Sequence, residues 1–304
     1  MYNIISKSKI WLSISGILIA VSIVALSMWG LRLGIDFTGG SLLEIQYKND
    51  RPSVTDIEHS LQDKNLKSLT VQPVNDKGMI LRFQDTSEET HQAVLAKLRE
   101  IKPVTKQGEV NFEELRFESV GPSIGLELQR KAIYATILVL LSISLYIAWA
   151  FRKVSRPVTS WKYGMATIIS LFHDVIIVLG FFAYLGHFHN VEVNTSFIAA
   201  VLTVLGFSVH DTIVVFDRLR ENLPRSNDDF AGTVNTSVNQ TLRRSINTSV
   251  TVLLVLLSTT VLGGSSIHYF SLALLIGIFF GTYSSIFLAS PLLVVWQHMK
   301  QRQS

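Results

Sequence analysis

The chain has 304 residues, 48% of them hydrophobic and only 16% charged, with a formal net charge of +4. It contains no cysteine, which excludes a disulfide framework, a thiolate metal site and a thiol nucleophile. Long apolar runs and a mean hydropathy of +0.35 put it in the membrane class.

Six runs approach the roughly 20 residues that span a hydrocarbon core. They are Ile10–Leu31, Ala132–Phe151, Gly164–Leu185, Asn194–Phe216, about Ile246–Leu262, and Phe270–Trp296. The first follows Lys7 and Lys9 and is longer than the roughly 7–15 apolar residues of a cleaved signal. It reads as an uncleaved anchor. Lys and Arg in short loops set orientation. One side collects 13 basic residues, among them Arg152, Lys153, Arg156, Lys162, Arg218, Arg220, Arg225, Arg243 and Arg302. The opposite short loops, Gly186–Val193 and Gly263–Tyr269, hold none, so both termini are expected in the cytoplasm. The chain therefore divides into residues 1–31 (N-terminus and first span), 32–131 (an exported domain) and 132–304 (five further spans). The positive charge reflects topology and gives no argument for nucleic-acid binding.

In the exported segment, Ser41–Tyr47 reads as a strand and Ser53–Asn65 as a helix capped at Ser53-x-x-Asp56. Leu69–Val74 and Met79–Phe83 are strands joined by an Asn-Asp-Lys-Gly turn. Thr86–Ile101 is a helix with Thr86-x-x-Glu89 as its capping box and Ala93, Leu95 and Leu98 inward; Phe112–Val120 is the last strand. The order β-α-β-β-α-β is that of an α+β ferredoxin-like domain. His59 and His91 stand alone on helix patterns and are expected at the surface. The domain reads as a binding module without chemistry of its own.

An ionised group near the bilayer centre costs roughly 2.5–3.5 kcal/mol on insertion scales, so intramembrane carboxyls are functional candidates. Asp211, beside His210, and Asp174, beside His173, are two such carboxyls. Helical spacing aligns Thr167, Ser170 and Asp174 in the third span, and Thr203, Ser208 and Asp211 in the fourth with Thr212 beside them. In the fifth it aligns Arg244, Asn247/Thr248, Thr251 and Ser258. The expectation is one polar seam in which Asp211 pairs with Arg244 and can take up and release a proton. Asp174 and His210 join Asp211 and Arg244 as proton-relay candidates, and His173 could also shuttle a proton, but adjacent helical residues point about 100° apart, so at least one member of each His–Asp pair is expected to face away from the seam. Gly277-x3-Gly281-x3-Ser285-x3-Ala289 is a close-packing face. Enzyme readings fit poorly: Ser208 and His210 fall on different helix faces, and Asp211 lacks an aspartyl-protease context. No cofactor is implied. His187, His189 and Glu192 form one short cluster without a fourth metal ligand, and the Gly-Gly pairs lack a phosphate-loop pattern.

Five motifs, in order, resemble the SecF family. They are Gly34-Ile-Asp36-Phe-Thr-Gly39-Gly40; Val-Gly121-Pro122-Ser-x-Gly; and His173-Asp174-Val. The others are Gly206-Phe-Ser-Val-His210-Asp211 running on to Asp217-Arg218-Leu-Arg-Glu-Asn222, and Asn-Gln-Thr-Leu-x-Arg244. The resemblance implies the smaller subunit of the SecDF accessory complex, similar to resistance-nodulation-division transporters. It further implies a SecD partner, contact with the Sec channel and with unfolded exported polypeptides, and work driven by the proton motive force across the bacterial inner membrane. By the same resemblance Asp211 and Arg244 fall on the family's proton path. The family usually has Asn where this chain has His210. The rival readings are a proton-coupled exporter of small molecules or lipids and a purely structural subunit.

Overall fold

The computed structural model describes residues 2–64, 66–101, 111–152 and 159–301. Asn65, Lys153, Arg156 and Arg302 fall outside the described residues. Helix α1 (Ser8–Trp29) is followed by a short α2 (Ile35–Thr38), β1 (Gly40–Tyr47), α3 (Val54–Leu61), β2 (Thr70–Val74) and β3 (Gly78–Phe83). Then come α4 (Glu88–Ile101), β4 (Phe112–Val120), α5 (Pro122–Ala150), α6 (Ser160–His189) and α7 (Thr195–Asn222). The chain ends in α8 (Phe230–Leu262), α9 (Ser265–Ser284), a π-helical turn (Ser285–Ala289) and α10 (Ser290–Gln301). Two compact units result, one of residues 33–132 and one of the rest.

The smaller unit is the α+β domain expected from its strand and helix order. Its antiparallel sheet runs β2-β3-β1-β4, with Leu43 opposite Leu81 on one side and Phe117 on the other. That is the strand order of a split β-α-β fold. Alternation along the strands sends Leu43, Ile45, Tyr47, Met79 and Leu81 to the core under α3 and α4. Burial there pushes the Tyr47 hydroxyl up to about 12. The reciprocal Ser53–Asp56 capping box forms as read.

Helix α4 departs from its reading in two ways. Its cap is Ser87, not Thr86: Ser87 Oγ accepts from Thr90 N at 3.2 Å, and Ser87 N donates to Asp85 Oδ1 at 2.8 Å. Val94 is buried beside Leu95 and Leu98, while Ala93 lies at the margin. His91, expected outside, is only 5% exposed. Its ring stacks on Phe117 at 3.7 Å, with Nδ1 3.1 Å from Glu88 and Nε2 3.2 Å from Glu114. An imidazole has an apolar face and two polar edges, so it can serve as core once carboxylates meet those edges. His59 is exposed as expected.

Among the described residues six helices are long and apolar enough to cross a membrane. They are joined by close approaches at glycine. A Cβ on Gly180 of α6 would lie 2.4 Å from Ser22 Cβ of α1, and one on Gly277 of α9 would lie 2.2 Å from Val204 of α7. Gly281 meets Ser208 at 3.0 Å, and Ser285 and Ala289 are buried, so the small-residue face packs as read. The fifth span is part of a longer helix than its apolar run suggests. Asp229 caps α8 through Gly232 N, and the helix begins four turns before the hydrocarbon-length segment.

Candidate functional site

Both intramembrane carboxyls are buried: Asp174 is 0% exposed and Asp211 3%. They have different partners: Asp174 meets α7 and α9, and Asp211 faces α8 and α9. Asp174 Oδ2 accepts hydroxyl hydrogen bonds from Ser208 of α7 at 2.6 Å and Ser284 of α9 at 2.8 Å. Its Oδ1 lies 2.9 Å from His173 Nδ1. The two neighbours therefore share one site. That bond bridges the 100° step between them, which the helical-wheel reading did not anticipate. His173 is itself 0% exposed.

Ser208 also anchors a second layer. Its carbonyl accepts from Thr212 Oγ1 and from Ser285 Oγ, each at 3.1 Å, and those two hydroxyls meet at 2.8 Å. Ser285 opens the π-helical turn, a feature that often marks a functional position in a helix. Thr203, expected on the same face, is exposed and hydrogen bonds only to Ala199 O of its own helix.

Asp211 faces α8 and the other side of α9. The hydroxyls of Ser245, Ser249 and Thr282 surround it, and Ser249 meets Thr282 at 2.6 Å. Asp211 Oδ2 and Ser245 Oγ are buried, and among the described residues neither meets a partner in hydrogen-bond geometry, although the Ser245 hydroxyl lies close to the carboxyl. A buried polar atom in this condition is costly unless something further binds it.

Arg244 is not the partner of Asp211 here. It is exposed, and among the described residues no ion pair joins the two. The reason is helical phase: Ser245 takes the inward position, which turns Arg244 outward with Asn247, Thr248, Thr251 and Ser258, all exposed. His210, next to Asp211, is exposed as well. The buried residues of α8 include Thr233, Ser237, Thr241, Ser245 and Ser249, with Val234 and Val238 beside the first of them. That strict four-residue repeat of small hydroxyls was legible in the sequence and is the signal the charged stripe obscured.

The glycine motifs also acquire a geometry. Gly39 and Gly40 have φ of +74° and +121°, and a Cβ there would meet Pro122 Cα at 2.8 Å and Phe83 O at 2.7 Å. Gly125 packs on Phe37 and Gly39 backbone, so the two motif segments touch. Gly34 precedes α2, and its carbonyl accepts from the Thr38 hydroxyl; Gly121 accepts from Gly125 N. Asp36 adds to the negative field on Arg116, which is paired with Glu118 at 2.5 Å. At the end of α7, Asp217 pairs with Arg220, while Arg218 holds Glu221 and Gln240. Asn222 donates to Ser237 and Gln240, tying α7 to the extension of α8. Glu192 pairs with Arg32 at 3.6 Å and His187 stacks on Trp29, so the short His/Glu cluster is otherwise engaged.

The family model described as "Protein export membrane protein SecD/SecF, C-terminal" matches residues 100–299, and the "SecD/SecF GG Motif" matches residues 30–50. A protein translocase subunit SecF from Thermobaculum terrenum is 44% identical over 98% of this chain and 95% of its own length. The chain belongs to the SecF family. The SecF of Anaerolinea thermophila is 35% identical over 98% of the chain. The matching segment is also found inside longer chains. A SecDF from Brucella abortus is 34% identical over 93% of this chain but only 36% of its own length. The crystal structure of SecDF from Thermus thermophilus superposes with a TM-score of 0.82 at 34% identity, covering 98% of this chain and 39% of that one. This SecF-family chain is thus a multi-pass membrane protein of a protein-export family, and it spans about two-fifths of the SecDF chain of known structure.

Proposed function

We propose that this chain is the SecF half of a SecDF pair that draws on the proton motive force to promote passage of unfolded polypeptides through the Sec channel. In this reading it sits in the bacterial inner membrane with both termini in the cytoplasm and residues 33–132 exported. Asp211 and Asp174 carry the proton, and Arg244 and His210 face the SecD half.

The observation that carries the proposal is Asp211: a buried carboxyl ringed by hydroxyls, with one oxygen unpartnered. Proton binding changes both the charge and the hydrogen-bonding capacity of such a carboxyl, and so changes its fit to the site. The exposed stripe of Arg244, Asn247, Thr248, Thr251 and Ser258 supports a partner on that face. An Arg and four polar side chains do not belong against lipid, and intramembrane charges normally face protein or a water-filled cavity. The longer SecDF chains that contain this segment supply a partner of the right kind. A proton crossing 100 mV delivers about 2.3 kcal/mol, enough to bias a helix repacking.

The test is Asp211→Asn in an intact SecDF complex, scored by secretion of a reporter with and without a proton gradient. The expected result is assembly without gradient-stimulated export. A variant that assembles and still exports at the gradient-dependent rate would overturn the proposal.

A further inference from the structure

The hydroxyl of Ser284 has one proton and two acceptors within reach. Asp174 Oδ2 is 2.8 Å away, and Gly281 O of the same helix is 3.1 Å away. Its neighbour Tyr283 points to a different element. Tyr283 Oη donates to Trp11 O of α1 at 3.1 Å and accepts from Ser15 Oγ at 3.4 Å. The Tyr283 ring lies against His173 at 6.0 Å and Phe287 at 5.3 Å, and Phe287 meets Trp11 at 4.5 Å. Two consecutive residues of α9 thus grip the buried carboxyl on one side and α1 on the other. The turn that follows them is π-helical, where the regular ladder of hydrogen bonds is already broken.

We propose that Tyr283 and Ser284 form a joint through which a change at Asp174 displaces α1, the helix that leads directly into the exported domain. The inference rests on the reading of Asp174 as a proton-binding group. As a carboxylate, Asp174 is acceptor-only and can take both serine hydroxyls on Oδ2. As an acid it has a proton to donate and loses acceptor capacity. Ser284 then turns its proton to Gly281 O, and the Tyr283 turn follows. Such a switch moves an equilibrium only through differential contacts in the two states. Here they are the Ser284–Asp174 bond in one state and the Ser284–Gly281 bond in the other.

Among the described residues the groups that meet the Asp174 carboxyl are His173 on its own helix and the hydroxyls of Ser208 on α7 and Ser284 on α9; Tyr283 lies against the His173 ring. Helix α1 reaches this cluster through Ser15, whose hydroxyl meets Tyr283 Oη, and among the described residues no α1 charge is paired with Asp174 or His173. Asp211, one turn beyond Ser208, directs its carboxyl to α8 and Thr282. Tyr283 and Ser284 are positioning residues: they act through Asp174 and not on an exported polypeptide.

The chain has no cysteine, which permits clean spin labelling at Ile14→Cys on α1 and Phe279→Cys on α9, both exposed positions, in a SecDF complex otherwise free of cysteine. Asp174→Asn fixes a neutral side chain that can both accept and donate. The expected result is a label distance about 1–2 Å different from the parent, the scale of helix shifts at switching interfaces. In the Tyr283→Phe background, which keeps the ring and removes one hydroxyl, Asp174→Asn should produce no such difference, and the pH dependence of the parent distance should vanish. A displacement that persists in the Tyr283→Phe background overturns the inference, as does an Asp174→Asn complex whose distance is unchanged. Export by Asp174→Asn is read separately. If it stays fully gradient-driven while the labels still move, the proton role of Asp174 fails and the joint stands.

Discussion

Ser208 gives its hydroxyl to Asp174 at 2.6 Å while its backbone carbonyl takes hydroxyls from Thr212 and Ser285. One residue therefore joins α6, α7 and the π-helical turn. The arrangement needs a small side chain, because Gly281 of α9 already sits against Ser208. Ser208→Ala removes one donor from a fully buried carboxyl and leaves the packing intact. The expected cost is about 1–3 kcal/mol, read as a lowered midpoint of thermal unfolding of the complex in detergent. Ser208→Val adds volume at the glycine contact as well and should cost more. Equal midpoints for Ser208→Ala and the parent would show that the hydrogen bond contributes nothing to stability.

The glycine pair at the start of β1 gives a sharper contrast. Gly40 combines φ of +121° with Phe83 O at 2.7 Å from a would-be Cβ, whereas a Cβ on Gly121 meets nothing within 4 Å. Gly40→Ala is expected to destabilise the sheet domain by about 1–3 kcal/mol through backbone strain, and Gly121→Ala to be nearly silent. Limited proteolysis between residues 33 and 132 distinguishes the two. Comparable cleavage of both variants would contradict the geometric account.

Acid should loosen the start of α4 first. The Asp85 carboxyl is held below the usual carboxylate range chiefly by the Ser87 backbone N–H, with the Ser87 and Thr90 hydroxyls adding to it. Glu88 is lowered by Gln92 and then His91. A carboxyl lowered by folding contributes stability that is fully present above its unfolded value, roughly pH 4. That contribution disappears as pH falls through the lower folded value. The protection of the Thr90 and His91 amides, taken relative to the intrinsic exchange rate at each pH, should therefore fall below about pH 4 in the full chain, and Asp85→Asn should flatten that dependence.

How far the sequence could be read depends on which interaction decides each element. The sheet domain was legible because alternation in β1 and β3 and the Ser53–Asp56 cap are local signals with one solution. The six spans were legible because apolar length alone selects them. Helix phase within a span was not. On α8 the eye follows Arg244, yet the inward face is set by the small hydroxyls at 237, 241, 245 and 249, which let α7 and α9 approach. His91 was misplaced because its two carboxylate partners come from α4 and β4, and no local pattern encodes that meeting. His173 was undervalued for the opposite reason, since a bond to the next residue lies outside helical-wheel reasoning.

Arg244 now invites a prediction different from the one its sequence suggests. Were it the buried counter-ion of Asp211, its loss would leave an uncompensated charge and cost about 3–5 kcal/mol. It is exposed on α8 instead, so Arg244→Ala should change the thermal midpoint of the isolated chain by no more than about 0.5 kcal/mol equivalent. The proposed contact with a SecD half requires a defect elsewhere. Co-purification of the pair, or gradient-driven export by the assembled pair, should fall. Arg244→Lys separates the two ways this can happen. A Lys that restores both functions indicates that positive charge alone is needed on that face. A Lys that restores assembly but not export indicates that the planar, multi-donor guanidinium is required, as expected if Arg244 meets a carboxylate or carbonyl of the partner in a fixed geometry. A large stability loss in the isolated chain would instead return Arg244 to the interior and undo its assignment to the outer face.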